Sequence, residues 1–167
     1  MTKVVVLADT HTARAASSHP SRPLPPGAYP YLETADHILH AGDVTDPDLV
    51  TELRSLAPVT VVLGNSDGPE VADAGATAVA ELSIDGVDIA MLHDTGLSRG
   101  RRARMAKLFP DARVVVFGHS HIPMNEDEDG LLLFNPGSPT WKRTAPFESM
   151  GILWIEGGEV EGEIFPV

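Results

Sequence analysis

The sequence predicts an α/β fold built on parallel strands, and three observations lead there. Short unbroken runs of β-branched and aliphatic residues recur, among them residues 4–8, 59–63 and 113–117; apolar runs of that length suit strands buried on both faces. Helical spacing separates the early runs, giving the order strand, helix, strand, helix, strand, which calls for right-handed crossovers between parallel strands. Each run also stops at residues able to ligate a metal, and parallel strands bring such residues to one shared edge.

In chain order, residues 4–8 form a strand that ends at Asp9 and His11. Residues 12–28 are rich in Pro, Ser, Arg and Ala without any period and read as a loop, with His19 in it. A short helix is expected over residues 29–35 despite Pro30, then a strand over 37–40, followed at once by Gly42 and Asp43. Asp46 before Pro47 reads as an N-cap with proline at the first helical position. Leu49, Val50, Leu53 and Leu56 follow at helical spacing, so a helix ends before Pro58. Residues 59–63 make a third strand, closed by Gly64, Asn65, Ser66, Asp67 and Gly68.

Residues 78–84 and 87–92 flank Asp85-Gly86, a strong tight-hairpin signal, and the second arm ends at His93 and Asp94. Residues 98–109 read as a helix whose Arg99, Arg101, Arg102, Arg104 and Lys107 make a solvated basic face. The strand over 113–117 runs into Gly118, where a sharp turn aims His119 and His121 at one spot above the sheet. An acidic turn over 126–130 leads to a strand over 131–134, then Asn135, Pro136, Gly137 and Ser138. A hairpin of 151–155 and 160–165, turning at Gly157-Gly158, closes the chain. No repeat or linker divides it, so residues 1–167 are expected to form one domain.

Apolar residues make up 43% and charged residues 22% of the chain, ordinary values for a globular protein. The net charge of −12 argues against nucleic acid held on a basic surface and against an anionic membrane partner. It leaves room for an anionic substrate, because bound cations reverse the local field. No apolar run approaches ~18 residues and no leader-like cleavage site follows the first strand, so a cytoplasmic location is expected. With no cysteine, any metal must be held by oxygen and nitrogen.

Asp9 with His11, Asp43, Asn65, His93, and His119 with His121 stand at the ends of five predicted strands. Two Asp, one Asn and four His exceed what one small cation takes from a protein, so two cations fit better. At about 3.5 to 4 Å apart they would share a carboxylate, hold a bridging hydroxide at neutral pH and clamp phosphoryl oxygens. Mixed imidazole and carboxylate donors favour Mn, Fe, Zn, Co or Ni over Ca or Mg.

The ordered set Asp9-x-His11, Gly42-Asp43, Gly64-Asn65, His93, Gly118-His119-x-His121 resembles the calcineurin-like metallophosphoesterases, in particular their small single-domain bacterial and archaeal phosphodiesterases. The likeness runs from about residue 3 to 155 and includes the loop from Asn135 to Ser138. It implies a two-sheet β-sandwich core flanked by helices, in four α/β/β/α layers, and a bimetal centre with manganese the first expectation. Carried over by position, Asp9, His11 and His121 would hold one ion and Asn65, His93 and His119 the other, with Asp43 bridging. Asp43, Asn65 and His119 carry over as catalytic residues as well. The expected activity is hydrolysis of a small phosphate ester, a diester before a monoester.

The sequence departs from the family pattern at Thr12, where many relatives have glycine, at Ser66, where larger phosphatases place a histidine that protonates the leaving group, and at Asp94. Asp94 would orient a ligand imidazole or cap its turn. Two rival functions stand beside the enzyme. A metal-binding protein-interaction scaffold is known among members of the superfamily. A serine hydrolase could use Ser66, Asp94 and His119, since residues 64–68 fit G-x-S-x-G. His37 and His40 read as structural histidines, the loop from Asn135 to Ser138 as a phosphate-facing donor set or a plain turn, and Arg143 as a candidate phosphate partner. The C-terminal hairpin offers an edge for a second copy.

Overall fold

Alternation along β-branched runs divides the side chains of each strand between two cores, and this sets the layering. The computed structural model describes residues 1–12 and 22–167; residues 13–21 of the expected loop, His19 among them, lie outside the described residues. The elements run β1 (Thr2–Leu7), a 3₁₀ turn (Pro26–Ala28) leading into α1 (Tyr29–Leu32), β2 (His37–His40), α2 (Pro47–Leu56), β3 (Val59–Val61), α3 (Pro69–Asp73), β4 (Val79–Ile84) and β5 (Val87–Leu92). They continue with α4 (Arg101–Leu108), β6 (Val114–Val116), β7 (Met124–Glu128), β8 (Leu131–Asn135), β9 (Ser149–Glu156) and β10 (Glu159–Pro166).

Among the described residues ten strands form two five-stranded sheets, ordered β10-β9-β1-β2-β3 and β4-β5-β6-β8-β7. In the first, β1, β2 and β3 are parallel and β9 and β10 antiparallel; in the second, β5, β6 and β8 are parallel, with antiparallel β4 and β7 at the edges. Val4 and Val6 of β1, Val87, Ile89 and Met91 of β5, Val114 and Val116 of β6, and Leu132 and Phe134 of β8 meet between the sheets. The alternate residues Val5 and Leu7 face Leu32, Leu49, Val50 and Leu53 of α1 and α2, while Val115, Leu131 and Leu133 face Met105 of α4 and Phe109. The result is a helix, sheet, sheet, helix stack.

Asp46 caps α2 as its sequence predicts, its carboxylate accepting the Asp48 N–H at 3.0 Å. Two local expectations are corrected. The acidic stretch expected as a turn is β7, an edge strand whose Asn125, Glu126, Asp127 and Glu128 lie in water, turned onto β8 by Asp129 (φ 52°) and Gly130 (φ 77°). The basic face of α4 is not merely solvated: Arg102 donates to the carbonyls of Glu126 and Glu128, both at 2.9 Å, and of Leu131, and Arg104 to those of Thr95 and Leu97.

Candidate metal centre

The parallel strands β1 and β2 remain zipped past their ends. Asp9 N–H donates to Gly42 O at 2.9 Å, His11 N–H to Asp43 O at 2.9 Å and Thr12 N–H to Val44 O at 3.0 Å. In the second sheet Gly118 N–H donates to His93 O at 3.0 Å. Asp9 (φ 53°), His11 (43°), Asp43 (56°), His119 (69°) and His121 (60°) all take the left-handed backbone conformation. That costs an L-residue roughly 1–2 kcal/mol, and Asp and His tolerate it better than most; its concentration here marks a site that the surrounding hydrogen bonds hold in place.

Gly118 serves differently from its sequence reading, because the positive φ falls on the two histidines. A Cβ at Gly118 would sit 2.8 Å from Asp9 Oδ2 and 2.9 Å from Ala8 Cβ, so glycine permits the two sheets to touch at this point. Gly64 leaves room in the same way for Asp43 at the ends of neighbouring β2 and β3, where a Cβ would lie 2.1 Å from Oδ1.

All seven sequence-predicted ligand residues come together. His11 Nε2 lies 3.4 Å and His93 Nε2 3.3 Å from Asp43 Oδ2, and His121 Nε2 lies 3.4 Å from Asp9 Oδ1. Asn65 Oδ1 is 3.1 Å from His93 Nε2 and 3.0 Å from His119 Nδ1. Asp9, Asp43, His93 and His121 are buried, whereas Asn65 and His119 are exposed, so the cluster opens to solvent on their side. Ligand atoms of Asp9, His11 and His121, and of Asp9, Asp43 and His93, lie within 4.8 Å of one another.

The residues fit a divalent ion by a test internal to the structure. Asp9 Oδ2, His11 Nε2 and His121 Nε2 are buried and have no hydrogen-bond partner among the described residues, a costly arrangement unless something binds there. Backbone carbonyls orient the rings: Ala41 O lies 2.7 Å from His93 Nδ1 and Trp141 O 2.5 Å from His121 Nδ1. These carbonyls accept hydrogen bonds from Nδ1–H and so turn both Nε2 atoms, the ones an ion would use, toward the cluster.

Burial raises the Asp9 carboxyl to about 7 against the pull of His93. Burial lowers His11, and it lowers His121 to about 4. For Asp43 burial acts upward, but the hydrogen bonds of His93 and the Ser66 N–H and the charges of His93 and His11 hold it well below the usual carboxylate range. His93 goes up to about 9, since its bonds to Asp43 and Ala41 O and the nearby carboxylates outweigh its burial.

Residues 2–158 match the calcineurin-like phosphoesterase superfamily domain. The chain belongs to that family. A protein of Methanothermobacter thermautotrophicus named "Probable metallophosphoesterase" is 35% identical over 162 residues, 95% of this chain and 89% of its own length. Among solved structures, Vps29 of Entamoeba histolytica complexed with zinc superposes with a TM-score of 0.76 at 23% identity, covering 98% of each chain. A structure described as a novel archaeal phosphodiesterase superposes at 0.70 and 22% identity, over 98% of this chain and 99% of its own. Both share the fold of this phosphoesterase-family chain.

Several supports of the family site carry no motif. Asp67 accepts the N–H groups of Asp43 (2.9 Å), Thr45 (2.7 Å) and Gly64 (2.7 Å); its place three residues after Gly64 was the only signal. The loop from Asn135 to Ser138 braces the site instead of facing a ligand: Asn135 Nδ2 donates to Gly118 O at 2.9 Å and Ser138 Oγ to Asp9 O at 2.8 Å. Asp94 caps its own turn on the Gly96 N–H at 2.8 Å and stands 3.8 Å from His119 Nε2. Ser66 Oγ donates to Asp43 Oδ2 at 3.2 Å, and no hydrogen bond joins it to His119 among the described residues. His37 pairs with Thr60 and His40 with Thr10, each at 3.0 Å. No helix among the described residues is long and apolar enough to cross a membrane.

Proposed function

We propose that this chain is a metal-dependent phosphoesterase acting on small phosphate esters, diesters first, with two divalent transition ions. Manganese is the first ion to test, then Fe, Zn, Co and Ni. Asp9, His11 and His121 would hold one ion and Asn65, His93 and His119 the other, with Asp43 shared. The observation that carries the reading is the convergence of three buried atoms without hydrogen-bond partners among the described residues, Asp9 Oδ2, His11 Nε2 and His121 Nε2, on the carboxylate-imidazole set of Asp43 and His93. Bound there, divalent ions supply a nucleophile from water at neutral pH and offset charge on the phosphoryl oxygens.

The protein's own part is preorganisation. The carbonyls of Ala41 and Trp141 fix the rings of His93 and His121, Asp67 fixes the turn that carries Asp43, and exposed Asn65 and His119 form the side on which an ester would enter. No histidine follows Asn65, so Ser66 cannot supply imidazole acid catalysis and esters with good leaving groups should react best. The archaeal phosphodiesterase of the same fold supports a diester as the first substrate. We further infer one domain over residues 1–167, a cytoplasmic setting, no nucleic acid bound through a basic surface, and a C-terminal β9–β10 edge open to self-association.

The test is metal content of chelator-free protein together with hydrolysis of bis(4-nitrophenyl) phosphate before and after chelation. About two ions per chain, with activity lost on chelation, restored by Mn²⁺ and absent in Asp43→Asn, is the expected result. Metal bound without turnover of any phosphate ester would leave the scaffold reading, and activity without metal would overturn the proposal.

A further inference from the structure

Trp141 stands against the metal-ligand histidines. Its ring meets His11 and His121 edge-on, with centroids 5.3 Å from each. Two guanidinium groups pack on the same indole, Arg22 with Cζ 4.1 Å and Arg143 with Cζ 4.8 Å from the ring centre. Arg143 Nη1 also lies 3.5 Å from the carbonyl oxygen of His119. Among the described residues neither arginine has a carboxylate within ion-pair distance, unlike Arg102 and Arg113, although the chain carries 24 Asp and Glu against 12 Lys and Arg.

Stacking on an indole occupies the face of a guanidinium and leaves its N–H edge free to donate. Two such edges without acidic partners, in a strongly acidic protein, form a receptor for an anion. The indole that carries them touches His11 and His121, so charge held here lies beside the ligand atoms and not on them. A phosphoryl group seated at the ligands has its charge met there, which leaves the arginines for another group.

Resting on the phosphoesterase reading, we propose that Arg22, Trp141 and Arg143 form an anion-recognising wall of the site, selecting esters that carry a second anionic group beside the phosphoryl group under attack.

Trp154→Phe protein, in which Trp141 is the remaining tryptophan, reports ligand binding by fluorescence without turnover. Phenylphosphonate and 3-carboxyphenylphosphonate are titrated into Mn²⁺-loaded protein; the second differs by one carboxylate. The expected result is at least fivefold tighter binding of the carboxylated ligand, falling below twofold in Arg22→Gln and in Arg143→Gln. The same preference should appear in kcat/KM for 4-nitrophenyl 3-carboxyphenyl phosphate over 4-nitrophenyl phenyl phosphate. No preference, or one that survives both substitutions, would overturn the proposal and leave the arginines as packing for Trp141. If the protein takes up no metal and hydrolyses neither diester, the phosphoesterase reading fails; the fluorescence titration on that metal-free protein then decides the wall by the same two criteria.

Discussion

Asp67 shows how much of the site rests on a single side chain that binds nothing itself. Its Oδ2 accepts from Asp43 and Gly64 and its Oδ1 from Thr45, so Asp67→Asn, which keeps the shape but only one acceptor oxygen, turns an NH₂ group toward a backbone donor. A part-buried donor left unpaired costs roughly 1–3 kcal/mol. The urea midpoint of the chelated protein should fall accordingly, and metal affinity should weaken at least tenfold, measured by competition with a chromogenic chelator. His40 makes a second prediction. It is fully buried, accepts the Gly42 N–H on Nδ1 and meets Thr10 through Nε2, and burial lowers its pKa from 6.5 to about 3. The unfolded chain therefore binds the proton that the folded one refuses. Stability from this group is present above pH 6.5 and falls by about 1.4 kcal/mol per pH unit below it, until pH 3. Denaturation of chelated protein between pH 6.5 and 5 should lose close to one proton of slope in His40→Asn. The seven candidate ligand residues that the fold brings together were legible because each is a distinctive side chain just past an apolar run or its turn. The carbonyls of Ala41 and Trp141 were not, since every residue has one and only tertiary placement makes these two matter.

Elements were legible in proportion to how far burial dictates their pattern. Strands β1 and β6, which pack on both faces, appeared as unbroken apolar runs, the Asp85-Gly86 turn placed β5, and Asp46-Pro47 placed the start of α2. Strand β7 escaped because an edge strand facing water needs no apolar alternation, although Asp129-Gly130 was the same turn signal that placed the β4–β5 hairpin. Besides its pairing with β8, β7 is tied down by Arg113 on Asp127 and by Arg102 of α4, which reaches the carbonyls of Glu126 and Glu128, that of Leu131 in β8, and the carboxylates of Glu126 and Glu128. In Arg102→Met the aliphatic stem stays and the three carbonyls lose their donor. Amide exchange over residues 126–131 should accelerate at least tenfold while metal content stays the same, because that end of the hairpin is the one farther from His121 and Asn135. Unchanged exchange there would mean that strand pairing with β8 and the Arg113 contact fix the hairpin without Arg102.

At the scale of the whole molecule, the alternation of strands and helices pointed to parallel strands but not to two sheets; that came from the family resemblance. The reason is that β9 and β10 return to β1 from far along the chain, pairing Thr2 with Ile155, and no local pattern encodes such a closure. The two sheets exist at the site as opposing charges: β1 and β2 deliver Asp9 and Asp43, β5 delivers His93, and without metal they settle into a proton-bearing cluster. Asp9 is raised to about 7 and His93 to about 9. A raised carboxyl and a raised imidazole both bind more protons folded than unfolded, so the stability each contributes to the metal-free protein is lost as pH rises, from about 4 to 7 for Asp9 and from 6.5 to 9 for His93. A divalent ion needs the opposite states, carboxylate and neutral imidazole, so uptake must expel protons and strengthen with pH. Titration of Mn²⁺ into chelated protein at pH 7.5, in two buffers of different ionisation enthalpy, should therefore show release of at least one proton per chain. The gap in Tm between loaded and chelated protein should also widen from pH 6.5 to 9, since the ion takes over the role the protons lose, and a gap constant across that range would place Asp9 and His93 outside the metal site.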